Sequence, residues 1–199
     1  MSKETPLLSG QYYHIYNRGN NGIDLFMEER NYHYFLKLYT QYIYPIANTY
    51  AYCLMKNHFH LLVRMKPEND IQDWQSFEDC QSLYSQAFSN CFSTYTKAIN
   101  KTCHRSGSLF EKPFRRILVD SDSYFIHLVS YIHRNPEKHQ FVADYRRYPH
   151  SSYQTILQQK NSRIDTQQVL SWFGSIKSFE NYHQQWDESI IQHLIEDDV

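Results

Sequence analysis

The stretch that most constrains the fold is Tyr50 to Met65, YAYCLMKNHFHLLVRM. Two runs rich in aromatic, β-branched and apolar residues flank Lys56-Asn57, the one turn-like pair between them. This pattern predicts a tight hairpin. On a strand, residues two apart share a face about 6.5–7 Å apart, so His58 and His60 stand side by side while Phe59 and Leu61 face the other way. That spacing suits two imidazoles converging on one metal ion. It equally suits a strand that shows two histidines to water, so a third ligand must come from elsewhere in the chain.

The flanking sequence supplies a frame for this hairpin. Gln11–Asn17, QYYHIYN, alternates as a strand that carries His14 on the sheet surface and closes in the turn Arg18-Gly19-Asn20-Asn21-Gly22. Glu28–Tyr39 sets Phe35, Leu38 and Tyr39 at helical spacing behind an acidic first turn and ends before Pro45. After a polar connection containing Trp74, read as a packing anchor, a second helix is expected from about Phe77 to Asn100. Leu109–Val119 then reads as extended. Strand, helix, strand, strand, helix, strand is the order of an α+β, ferredoxin-like βαββαβ antiparallel sheet with both helices on one face. The other face is then free for a site, with His58 and His60 pointing there.

Asp120–Ser123 offers N-cap residues for a third helix, Ser123 to about Asn135. Within it His127, Tyr131 and Asn135 fall at i, i+4 and i+8, about 6 Å per step along one face. Pro136 biases Asn135 out of the helical region, placing it at the helix end or just past it. A tyrosine followed one turn later by an amide ligand suits metal-assisted phosphoryl transfer, although a half-buried tyrosine with a helix-stopping asparagine fits the same residues.

At 199 residues, 41% of them hydrophobic, the chain can bury a core, and one main domain is expected. The net charge of −1 does not announce a polyanion partner, yet basic residues gather between Lys97 and Arg147 and the balance turns acidic after Asp165. Eighteen Tyr and twelve Phe exceed the needs of a core and suit stacking on unpaired bases as well as packing. Cys53, Cys80, Cys91 and Cys103 form no CxxC pair and the N-terminal residues carry no signal-like pattern, so a cytoplasmic location is expected. No apolar run approaches the ~20 residues of a membrane span.

Taken together, YHIYNRGNNG, YAYCLMKNHFHLLVRM, GSLFEKPFRR and YIHRNP followed by SSY resemble the HUH single-strand endonucleases. Among these the chain is most similar to the REP-associated tyrosine transposases of the IS200-like group, over roughly Gln11 to Tyr153. The resemblance implies a catalytic domain over residues 8–150 and a C-terminal helical extension over 151–199. It implies that Tyr131 attacks a phosphate of single-stranded or hairpin DNA, giving a 5′-phosphotyrosine and a free 3′-hydroxyl. It further implies Mg²⁺ or Mn²⁺ held by His58, His60 and Asn135, with His127 or Glu111 as substitutes should the shorter Asn135 not reach. A non-catalytic hairpin-binding module is the alternative on the same fold.

For the DNA, Lys112, Arg115 and Arg116 beside Phe110 and Phe114 read as a strand that grips phosphates and stacks bases, or as a charged edge that discourages aggregation. Arg134 and Lys138 flank the expected nucleophile and are placed to orient the strand. A helix from Ser151, and short helices at Gln167–Phe173 and Phe179–Ile195, are expected to complete the chain. Self-association is open, as monomer or homodimer.

Overall fold

The computed structural model describes residues 5–71, 80–160, 162–185 and 187. Trp74, the expected helix start at Phe77, and nearly all of the stretch beyond Gln185 with Trp186 and Glu196–Asp198 lie outside these residues. Among the described residues no helix is long and apolar enough to cross a membrane.

The elements follow the expected order: β1 (Tyr12–Arg18), α1 (Glu29–Tyr42), β2 (Ala47–Leu54), β3 (His58–Met65), α2 (Cys80–Thr102) and β4 (Arg115–Val119). The four strands form one antiparallel sheet in the order β2-β3-β1-β4. This is the ferredoxin-like arrangement, in which two βαβ halves interleave so that β1 and β3 occupy the centre. Alternation along the strands sends Tyr13, Ile15, Phe59, Leu61 and Val63 into a core shared with Phe35 and Leu38 of α1 and Phe88, Phe92 and Tyr95 of α2. The Glu28 and Asn31 side chains cap the start of α1 reciprocally.

The opposite face is not left open. The third helix, α3 (Asp122–Lys138), lays Phe125, Leu128, Val129 and Ile132 against Ala51, Cys53 and Leu62 of the sheet. Three short helices, α4 (Tyr153–Leu157), α5 (Thr166–Phe173) and α6 (Ile176–Gln184), add Tyr153, Ile156, Val169, Phe173 and Phe179 to this second core. The apolar rows of α3, spaced three and four apart, are the reason: a helix so patterned has to be covered on that side.

Two boundary differences bear on the site, while α6 begins at Ile176 rather than Phe179 and α4 at Tyr153 rather than Ser151. β4 begins at Arg115 rather than Leu109, because Phe110 bridges Gly19 and the chain then turns at Lys112-Pro113 before joining β1. Helix α3 runs through Pro136 to Lys138. Proline in a last turn forfeits one intrahelical bond, and the His139 N–H donating to the Asn135 carbonyl closes the turn. Asn135 is therefore inside the helix.

The β2–β3 turn is gripped from outside. Lys56 O accepts from the Leu25 and Phe26 amides, and Asn57 O accepts from the Gly19 amide at 2.7 Å. A Cβ on Gly19 would stand 1.8 Å from the Ile23 carbonyl oxygen, so no larger residue fits beside this contact. Gly19→Ala is expected to destabilise the fold by at least about 1–3 kcal/mol, as overpacking does. Urea denaturation monitored by circular dichroism measures the effect, and a wild-type midpoint would refute the crowding.

Candidate functional site

Clamping the turn fixes the start of β3 and therefore His58. The Nδ1 of His58 lies 2.7 Å from Asn57 Oδ1. A carboxamide oxygen only accepts, so His58 carries its proton on Nδ1 and Nε2 is left as a lone pair. That Nε2 is buried and unpartnered. His60 is arranged in parallel: Nδ1 lies 2.9 Å from Nε2 of His14, and its own Nε2 is buried and unpartnered. The His58 and His60 rings stand 5.3 Å apart, nearly perpendicular. Burial pushes His58 down to about 3 and His60 well below the ordinary histidine value, with neighbouring imidazoles and Lys138 adding to it, so both are neutral near pH 7.

Helix α3 brings the tyrosine over these rings. Tyr131 lies edge-on to His60 at 5.4 Å and to His14 at 6.2 Å, and Lys138 Nζ lies 5.3 Å from its ring centre. One turn on, Asn135 donates from Nδ2 to the Tyr131 carbonyl at 3.0 Å, which leaves Oδ1 buried and unpartnered. Two bare imidazole nitrogens and one bare amide oxygen are the donor set of a small divalent cation with coordination positions to spare. Among the described residues no group of three or more His, Cys, Asp or Glu is assembled to hold a metal.

Beside the histidines opens a cleft of about 550 Å³ lined by Tyr16, Asn17, Arg18, Asn57, His58, His60, Glu111, Arg115 and His139. Neither Tyr131 nor Asn135 lines it; both are fully buried. Glu111 pairs with Arg18 at 2.7 Å across the cleft mouth. Arg115 is exposed in the lining. Around the corner lies Lys112, exposed, with the Arg116 guanidinium 5.0 Å above the Phe114 ring.

Two expected residues turn elsewhere. His127 hydrogen-bonds the Tyr182 hydroxyl on α6 and does not join the cleft. Arg134 donates to the His183 carbonyl and to Glu137, both at 2.7 Å, and lies over Tyr145, so it fastens α6 to α3.

The sequence reading missed three partners. His14 and Asn57 were seen only as surface and turn residues, although each lies within hydrogen-bond distance of the Nδ1 of one of the two histidines. The third is a chain of hydrogen bonds in the second core. His183 Nδ1 donates to Phe179 O at 2.7 Å, His133 Nδ1 to His183 Nε2 at 2.9 Å, and Ser152 Oγ to His133 Nε2 at 2.8 Å; Ser152 Oγ in turn accepts from the Tyr52 amide at 2.9 Å. His133 belongs to YIHRNP and Ser152 to SSY, so the two motifs meet in space. The two residues stand 19 apart in the chain, and no short-range pattern marks their contact.

No family model matches the chain. It is similar to a protein of Haemophilus influenzae assigned by name to the REP-associated tyrosine transposases, with 26% identity over 119 residues. The match takes in 55% of this chain and 60% of the relative, less than two thirds of its length. Among solved structures, a REP-associated tyrosine transposase bound to a REP hairpin superposes with a TM-score of 0.60 at 17% identity, covering 79% of this chain and 86% of that one. The chain therefore has the fold of that transposase.

Burial pushes His183 to about 3 and His133 well below 6.5. Both are neutral in the fold, while in the unfolded chain they take up protons near 6.5, so stability is lost as pH falls below that value. Each contributes a slope of up to ~1.4 kcal/mol per pH unit. His183→Gln is expected to flatten the dependence of urea-derived stability between about pH 6 and 4; an unchanged slope would show that the group is not buried as a neutral imidazole.

Proposed function

We propose that this chain is a metal-dependent endonuclease and strand transferase acting on single-stranded DNA that carries hairpins, with Tyr131 as nucleophile. The observation that carries the reading is the Tyr131 ring 5.4 Å from His60, beside unpartnered Nε2 atoms on His58 and His60, with an unpartnered Asn135 Oδ1 one turn further along the tyrosine's own helix. The name of the Haemophilus influenzae relative supports a tyrosine transposase, and the hairpin in the neighbour of like fold supports hairpin DNA as the substrate. Such a substrate sets the place of action in the cytoplasm.

In the first step Tyr131 Oη attacks phosphorus, the bond to the 3′-oxygen breaks, and that oxygen leaves as a hydroxyl with a proton. A 5′-phosphotyrosine remains. The aryl ester conserves the bond, so a second 3′-hydroxyl can attack the same phosphorus and release Tyr131 without ATP. Bound Mg²⁺ or Mn²⁺ would supply polarisation of the scissile phosphate and neutralise its charge. His58, His60 and Asn135 would hold it; Arg18, Arg115 and Lys112 bind flanking phosphates, and Lys138, beside the Tyr131 ring, orients the strand.

Because Tyr131 is fully buried, a phosphate reaches it only after local rearrangement over the cleft. That burial favours the second reading, a hairpin-binding module without strand chemistry. Incubating the chain with labelled hairpin oligonucleotides and Mg²⁺ or Mn²⁺, followed by denaturing gels and peptide mapping, separates the two. The expected outcome is a covalent adduct on Tyr131, abolished by chelation and absent in Tyr131→Phe, with strand cleavage in that variant down about 10³-fold or more. Tight hairpin binding with no adduct under any divalent ion would leave the binding module.

A further inference from the structure

We propose that His14 is a positioning residue for His60: it accepts the His60 Nδ1 proton and thereby holds that imidazole with Nε2 bare toward the ion. The inference rests on the metal site of the preceding reading and adds a residue outside its ligand set.

The placement follows from strand register. His60 lies opposite Tyr16 and Leu62 opposite His14, so His14 and His60 are diagonal neighbours on one face of the β1–β3 pair. Diagonal pairs are within reach of ring side chains, and here the two nitrogens meet at 2.9 Å. Both residues are almost completely withdrawn from water, at 0% and 1% exposure. Tyr16 stacks on both rings, 4.8 Å from His14 and 5.8 Å from His60, which restricts their rotation.

One proton is shared between His14 Nε2 and His60 Nδ1, in one of two arrangements. His14 Nδ1 is also buried without a polar partner. If His14 donates, His60 carries its hydrogen on Nε2, facing the site, and cannot ligate. If His60 donates, its Nε2 lone pair is available and the ion satisfies it. A bound cation therefore selects the second arrangement, and an acceptor at position 14 is what keeps it selected. His58 is served in the same way by Asn57. One acceptor is an imidazole and the other a carboxamide, and neither is a carboxylate. They fix the tautomers without placing a negative charge beside a phosphodiester, as a carboxylate would.

Mn²⁺ binding to the full chain, without DNA, by calorimetry and electron paramagnetic resonance tests this. His14→Phe keeps a ring but no acceptor and is expected to weaken Mn²⁺ binding about 10–100-fold. His14→Gln, whose amide oxygen replaces Nε2, is expected to stay close to wild type. Thermal unfolding in chelator reports separately on folding. Wild-type affinity in His14→Phe, or equal losses in both variants, overturns the assignment.

A measurement on the wild type needs no variant. Long-range ¹H–¹⁵N NMR of the Mg²⁺-loaded protein is expected to place the His60 proton on Nδ1; a proton on Nε2 overturns the proposal. If neither ion binds the wild type, the metal site and this inference fall together. If Mn²⁺ binding depends on His14 but no Tyr131 adduct forms, only the strand-transfer reading falls.

Discussion

The register between β1 and β3 is the constraint on which the site depends. Tyr16 faces His60 and Arg18 faces His58 across this pair. Because side chains alternate along a strand, a slip of one residue would send His58 and His60 into the α1–α2 core and bring Phe59 and Leu61 out. The register is held from the core side by Tyr13, Ile15, Phe59, Leu61 and Val63, all nearly inaccessible to water. It is held at the end by Gly19 against the Asn57 carbonyl. The apolar face thus sets the position of the polar one.

The polar face combines neutral groups with charges kept at its margin. Four buried histidines, His14, His60, His133 and His183, and the half-buried His58 are all depressed chiefly by desolvation. A neutral imidazole offers a lone pair at little desolvation cost compared with a carboxylate. Cationic groups sit around the rings rather than among them: Arg18 on the cleft, held by Glu111, and Lys138 over Tyr131. The arrangement suits a substrate whose own charges enter from outside.

Much of the fold was legible in the sequence because its signals are local. Alternation marked the hairpin and β1, helical spacing marked α1 and α3, and the order of elements gave the sheet topology. The four-residue spacing of Tyr131 and Asn135 marked them as neighbours on one helix, whereas the roles expected of them came from the family resemblance. What was not legible depends on distant partners. The pairing of His14 with His60 requires the β1–β3 register, which no short stretch encodes. The covering of the second sheet face requires knowing where α3 lands. His127 illustrates a limit of spacing: four residues exceed a full turn by about 40°, so two steps separate His127 from Asn135 around the helix, and His127 swings toward Tyr182 while Asn135 stays buried.

The bonds linking α6 to α3 carry a mechanical meaning. Phe179, His183, His133, Ser152 and the Tyr52 amide form one directional series from α6 through α3 to β2. Each imidazole in it receives at one nitrogen and gives at the other, so no link can be displaced without stranding the next. A load on α6 is thereby delivered to α3 two residues from Tyr131. The last described helix is geared to the one that bears Tyr131.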